Sequence, residues 1–331
     1  MGTDVTKMKT DEQAAGARWR SVAWITGAAL ALYVGFRLMP TGTNLHHMDF
    51  QVSGANALEM CDPANPQFIP VVAMRSPVKV ELRPAEAGAE PAAGRETRWV
   101  LSLATAGGKP IGPVDLLTVH TRKLHLLVVD PSLQDYQHLH PEPGPRPGEW
   151  VFAHTPRFGG VYRVFADFTP AATARGLYAY SDYAAAGGAA GDPAWRAPAP
   201  GEEFARGGYV LSLGLEKGAT VQAGKPGTLV FSIRAEDGGP VPMEPVMGAY
   251  VHTTAFDEAR SGFAHLHPRV EPGEVEPPKD GSVPPPPLRE PRRPKFAFDV
   301  MIPREGRYLV WAQFKLGGAE WFQPFELVVG R

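Results

Sequence analysis

The chain has 331 residues, an apolar share of 44% and a formal net charge of -2. That suits a globular protein of about two domains and excludes a nucleic-acid binder that works through a basic surface. Glycine and proline, 36 and 35 residues, are abundant, and the single cysteine, Cys61, excludes an intrachain disulfide and a four-cysteine zinc site.

From the N-terminus, residues 21–36 read "SVAWITGAALALYVGF" without a charge and end at Arg37. With Arg20 and Arg37 snorkelling, 20–39 reaches the length of a transmembrane helix. Lys7, Lys9, Arg18 and Arg20 precede it, and no further Lys or Arg appears between Arg37 and Arg75. The positive-inside rule then makes 1–19 a cytoplasmic tail of a single-pass bacterial inner-membrane protein and the bulk of the chain periplasmic. No small-residue cleavage site follows, so the anchor is expected to stay. Residues 40–67 are irregular and hold His46, His47, Met48, Met60 and Cys61, a soft set of ligands for copper that also suits ordinary packed or exposed residues.

The remainder is a repeat. "LHLLVVDPSLQDYQHLHP" (124–141) lies over "VHTTAFDEARSGFAHLHP" (251–268), and "GGVYRVFADF" (159–168) over "EGRYLVWAQF" (305–314). Upstream, "WVLSLATAGGKPI" (99–111) lies over "LVFSIRAEDGGPV" (229–241). Alternating or apolar runs of strand length, bounded by turn residues, predict a mainly β chain of two tandem Greek-key β-sandwiches, cupredoxin-like or immunoglobulin-like. The boundaries are 68–185 and 207–331, joined by an Ala/Gly/Pro linker over 186–206. The second copy carries an extra stretch at 269–293, rich in proline, which predicts an extended and solvated arm.

Each copy carries the pattern H-x12-H-x-H: His125, His138 and His140 in the first, His252, His265 and His267 in the second. His138 and His140 share one face of a strand. A hairpin centred near residue 132 places His125 opposite His140 and diagonal to His138, and the same arithmetic sets His252 opposite His267. Three neutral imidazoles that close suit zinc or copper. The alternative needs no metal: Asp130, Asp167 or Asp257 would hydrogen-bond to the histidines at a domain end. A blue-copper site is excluded because neither copy has a cysteine. His120 and His154 lack counterparts in the second copy and read as ordinary surface or core residues. No phosphate loop, nucleophile elbow, HExxH zinc motif or haem attachment motif occurs, so no enzyme, haem or nucleotide site is expected.

The strand "LHLLVVD", an aromatic before "HLHP", and then "GVYRVFADF" resemble bacterial, membrane-anchored periplasmic proteins with tandem cupredoxin-like or immunoglobulin-like domains. The resemblance covers most of 68–331 and implies that His125, His138, His140 and their second-copy equivalents bind metal. The second copy departs from the pattern, with Gln313 where the first has Asp167, which weakens a role for that carboxylate. The anchored architecture is also similar to an accessory subunit of a photosynthetic reaction-centre complex, whose β-domains pack on a periplasmic cytochrome. Two functions follow as expectations. One is a non-catalytic subunit that docks on and stabilises a membrane electron-transfer complex, photosynthetic or respiratory. The other is a free-standing periplasmic copper or zinc binder.

Overall fold

The computed structural model describes residues 19–35, 43, 45–50, 68–217, 220–269 and 280–331. The chain divides into two compact units, 1–44 and 45–331. In the first, residues 19–35 are helical, a length of about 26 Å at 1.5 Å per residue. The hydrocarbon core of a bilayer is ~30 Å thick, and among the described residues no helix is long and apolar enough to cross it. The transmembrane helix expected over 20–39 is therefore not supported; its last four residues lie outside the described ones.

The second unit is mainly β, with short 3-10 turns at His47–Phe50, Val71–Ala73 and Pro113–Asp115. The first sandwich comprises β1 (Val78–Pro84), β2 (Thr97–Thr105), β3 (Leu124–Val129), β4 (Tyr136–Leu139), β5 (Glu142–Pro143), β6 (Glu149–His154), β7 (Gly160–Phe168) and β8 (Leu177–Ala185). They form two four-stranded sheets, in the orders β1-β2-β6-β5 and β4-β3-β7-β8. The second sandwich comprises β9 (Phe204–Arg206), β10 (Tyr209–Leu215), β11 (Val221–Gln222), β12 (Pro226–Ala235), β13 (Met243–Glu244), β14 (Val251–Asp257), β15 (Phe263–Leu266), β16 (Lys295–Met301), β17 (Gly306–Leu316) and β18 (Ala319–Gly330). Its sheets run β16-β12-β10-β9 and β11-β18-β17-β14-β15, with β13 on β17.

The strand β3, "LHLLVV", is buried at every position, and its alternation explains why. Leu124, Leu126 and Val128 enter the core of the first sandwich, while Leu127 and Val129 belong to a separate cluster with Phe256, Phe263, Leu309 and Trp311 of the second. Both faces of the sheet are covered, so an unbroken apolar run replaces the in–out alternation of a one-sided sheet. On β14 and β17 the same division holds: Val251, Ala255, Val310, Ala312 and Phe314 face inward, whereas Phe256, Leu309 and Trp311 face the first sandwich. The two copies therefore pack sheet to sheet, each using equivalent strands, in the manner of a two-fold interface within one chain. Tyr136 closes the cluster, its hydroxyl 3.0 Å from Thr254 Oγ1.

Three segments differ from expectation. The end of the expected linker, Phe204–Arg206, is the strand β9 and pairs with β10 of the second sandwich. Residues 68–74, assigned above to the first sandwich, attach to the second: Ile69 exchanges backbone bonds with Phe263 (2.7 and 3.1 Å), and Phe68 N donates to Met301 O. Gly262 allows this approach, since a Cβ there would overlap Ile69 O. The arm at 269–293 is not free where it is described. Val241 N donates to Pro291 O and Ile233 N to Pro294 O, and Gly281 (φ +72°) lies against Thr121 and Gly248 with no room for a side chain on Thr121's side. Proline already restricts this backbone, so laying it down as a strap costs little entropy.

Candidate metal centre

The hairpin β3–β4 has the register Leu126 opposite Leu139 and Leu127 opposite His138, which sets His125 across from His140. In β14–β15, Thr253 pairs with Leu266 and Thr254 with His265, which sets His252 across from His267. Along each strand the histidines share the face that looks at the other sandwich. In each copy the three ligand nitrogens lie within 4.8 Å of one another.

In the first triad His125 Nδ1 is 3.1 Å from His138 Nε2 and 3.2 Å from His140 Nε2. Two nitrogens on a tetrahedral zinc ion, each about 2.0–2.1 Å from it, are about 3.3 Å apart, so the spacing fits one shared ion. The outer nitrogens decide which tautomer each ring takes. His125 Nε2 is 3.0 Å from the carbonyl of Val119, an obligate acceptor, so that nitrogen carries the proton. His138 Nδ1 is 2.8 Å from Gln313 Oε1. The amide is held in that orientation because Gln313 Nε2 donates to the Glu320 carboxylate at 3.1 Å. Both rings thus present bare lone pairs to each other at 3.1 Å.

The second triad repeats the design. His252 Nε2 lies 2.8 Å from Val246 O and His265 Nδ1 lies 3.2 Å from Asp167 Oδ2. Its inward atoms, His252 Nδ1, His265 Nε2 and His267 Nε2, are buried without a hydrogen-bond partner. Burial pushes His125 down to about 4 and His140 and His252 to about 3, and it holds His138 and His267 well below the ordinary value. These rings are neutral near pH 7, the form in which imidazole binds a metal.

The triads are neighbours. The His265 ring centroid is 5.1 Å from that of His138 and 5.9 Å from that of His125. His120, read from the sequence as an ordinary residue, belongs here: it stacks on His267 with centroids 3.6 Å apart. It sits in a two-residue turn between Val119 and Arg122, with φ +49° at His120 and +68° at Thr121. The turn between Val246 and Ala249 is its counterpart, with φ +50° at Met247 and +81° at Gly248. Both have the positive φ values of a tight hairpin turn, and each supplies the carbonyl that orients the first histidine of its triad.

Asp130 and Asp257, weighed above as partners of the histidines, are not. Asp130 accepts from Ser132 and from the Asp135 N–H, and Asp257 accepts from Ser261. Each braces the turn beyond its strand. Asp167 and Gln313 occupy equivalent places, opposite His125 and His252 in their own sheets, yet each bonds to a histidine of the other sandwich. His154 lies in the core of the first sandwich, 2.5 Å from the Tyr183 hydroxyl. Near the N-terminus, the His46 and His47 rings lie with centroids 4.0 Å apart, tilted by 44°, and the His46 backbone N–H donates to Asp49; Met60 and Cys61 lie outside the described residues.

Fold and site together define a tandem β-sandwich protein with a paired histidine centre in the seam between its halves. The chain belongs to the family "Domain of unknown function (DUF8832)", which matches residues 77–178 and 206–330, one stretch in each sandwich. None of the curated proteins matches it. Among solved structures it is similar to the Escherichia coli adhesin FdeC, at 17% identity over 76% of this chain and 64% of that one, with a TM-score of 0.23. It is also similar to invasin, a bacterial integrin-binding protein, at 14% identity over 75% and 39%, with a TM-score of 0.21. The fibronectin(III)-like modules of Clostridium thermocellum CbhA match at 9% identity over 76% and 94%, with a TM-score of 0.19. Likenesses at these scores carry no inference about this chain, which spans less than two thirds of the first two.

Proposed function

We propose that this protein is a non-catalytic binder of transition-metal ions, holding one copper or zinc ion in each histidine triad. The observation that carries the reading is the pair of opposed lone pairs on His125 Nδ1 and His138 Nε2, 3.1 Å apart. Their outer nitrogens are committed to Val119 O and Gln313 Oε1. Two buried acceptors facing each other repel; an Nε2–H of His140, 3.2 Å from His125 Nδ1, would satisfy one of them, whereas a cation shared by the three rings satisfies all, and an added proton is disfavoured by the same burial that keeps the rings neutral. Neutral imidazoles without thiolate or carboxylate select zinc and copper over calcium or magnesium. Three ligands per ion leave a coordination position for water or for a donor from a delivery partner.

The docking reading, a subunit of a membrane electron-transfer complex, has less behind it. The arm that would wrap a partner lies on the protein's own turns over 280–293. Equilibrium dialysis against Zn²⁺ or Cu²⁺, followed by elemental analysis, tests the binding reading. Two ions per chain are expected for the full chain, and one for the double variant His138→Ala, His140→Ala. A folded protein that retains none removes it.

A further inference from the structure

The backing of the two triads is crossed between the sandwiches and is chemically unequal. His265, of the second triad, has its outer nitrogen on the Asp167 carboxylate of the first sandwich, 3.2 Å away, with both side chains largely buried, 6% and 19% exposed. His138, of the first triad, has its outer nitrogen on the Gln313 amide oxygen of the second, 2.8 Å away. A ligating histidine that donates to a carboxylate is a stronger base, and the carboxylate returns a full negative charge to a site of neutral ligands. An amide fixes the tautomer equally well but returns no charge. The first histidines have matched outer contacts, Val119 O in one triad and Val246 O in the other, so among these hydrogen bonds the difference rests on residues 167 and 313.

We propose that the two triads form a graded pair in which the His252–His265–His267 site fills first, because Asp167 of the opposite sandwich backs it. Gln313 sets the weaker site. Asp167 and Gln313 are positioning residues that touch no ion, and because each reaches across the seam, neither site is complete without the other sandwich. A first ion in the second triad also acts on the neighbouring triad, whose rings are 5.1–5.9 Å from His265. The second ion enters against that charge, which widens the gap in the same direction.

This inference rests on the metal-binding reading, and the experiment separates the two. The full chain, stripped of metal, is titrated with Co²⁺ read by visible absorption and with Zn²⁺ by competition. His138→Ala isolates the second triad and His265→Ala the first. The carboxylate-backed triad is expected to bind about 10- to 100-fold more tightly than the amide-backed one, the range that loss of such a partner commonly costs. Asp167→Asn should remove that advantage in the His138→Ala chain and weaken the His265→Ala chain less, because there the carboxylate stands opposite His125 without bonding to a ligand of that triad. The double variant Gln313→Glu, Glu320→Gln, which installs a carboxylate behind His138 without setting two acids together, should tighten the first triad. A purely structural role of these residues would not move the two affinities in opposite directions. If a single-site variant does not fold, Asp167→Asn alone serves, read as convergence of two binding steps in the full chain. Equal affinities with no effect of Asp167→Asn overturn the inference and leave metal binding standing. No binding by any folded variant overturns the metal reading itself.

Discussion

The two sandwiches share strand order around the seam, hairpin register and histidine positions, yet they differ at several side chains that meet the other copy. Tyr136 in the first copy stands where Phe263 stands in the second, and only Tyr136 has a hydroxyl to give Thr254. Asp167 stands where Gln313 stands, and His120 where Met247 stands. On β7 and β17 the positions that face a copy's own core stay alike, Tyr162 with Tyr308, Val164 with Val310, Ala166 with Ala312 and Phe168 with Phe314, because each core must fill a similar space. Positions on the seam have diverged because each meets a different partner. Duplication made an equal pair, and the seam is where the halves became distinct.

The comparison can be broken most severely at the seam's apolar cluster. Phe256 is fully buried there, packed on Phe165 and Tyr136 at 6.1 and 5.3 Å between centroids. Phe256→Ala should cost about 3–5 kcal/mol, read by denaturant unfolding, and should lower ion retention although it touches no ligand. Loss of stability with both ions held as firmly as before would mean that the seam does not hold the triads.

Acid distinguishes the halves next. The first sandwich has a core histidine, His154, with no equivalent in the second, where every histidine belongs to the triad. Burial pushes His154 down to about 4, while in the unfolded chain it titrates near 6.5. Between these values the unfolded state binds the extra proton. Stability from this group is therefore present above pH ~6.5, is lost as pH falls toward 4, and changes no further below. His154→Gln should flatten the pH dependence in that window by up to about 1.4 kcal/mol per pH unit, measured as unfolding free energy at several pH values. An unchanged slope would contradict a neutral buried ring.

Much of this centre was legible in the chain. The period-two spacing of His138 and His140, and the distance back to His125, set the hairpin register that β3 and β4 adopt. The transmembrane helix over 20–39 was read from an uncharged run and its flanking arginines and lysines, and among the described residues no helix is long and apolar enough to cross a bilayer. What hydropathy and spacing do not carry is which sheet faces which. The run "LHLLVV" read only as a strand, and a sequence does not say whether a second face is covered by a helix, a partner or a second copy of the same sheet. The crossing of Asp167 and Gln313 was hidden for the same reason. Aligned copy on copy, Gln313 reads as a lost carboxylate, whereas in three dimensions each residue serves the other copy's histidine. His120 was missed because its role comes from stacking across the seam on His267.

A smaller change sharpens the same point. Tyr136→Phe makes the first copy like the second at this position and strands the Thr254 hydroxyl, at a cost of about 1 kcal/mol. Thermal unfolding should show the loss, and Phe263→Tyr should not restore it, because Leu127, not a threonine, stands at the equivalent place. Restoration would mean that the hydroxyl is satisfied locally and the asymmetry of the seam is not what holds it.

His125, His138 and His252 are held in fixed neutral tautomers with their lone pairs turned inward. Long-range ¹H–¹⁵N correlation of the histidine side chains, on metal-free protein at pH 7, reads this directly. The Nε2–H form is expected for His125 and His252 and the Nδ1–H form for His138, with the bare nitrogens shifting as Zn²⁺ is added. Protonated imidazolium rings, or the opposite tautomers at His125 and His138, would contradict it.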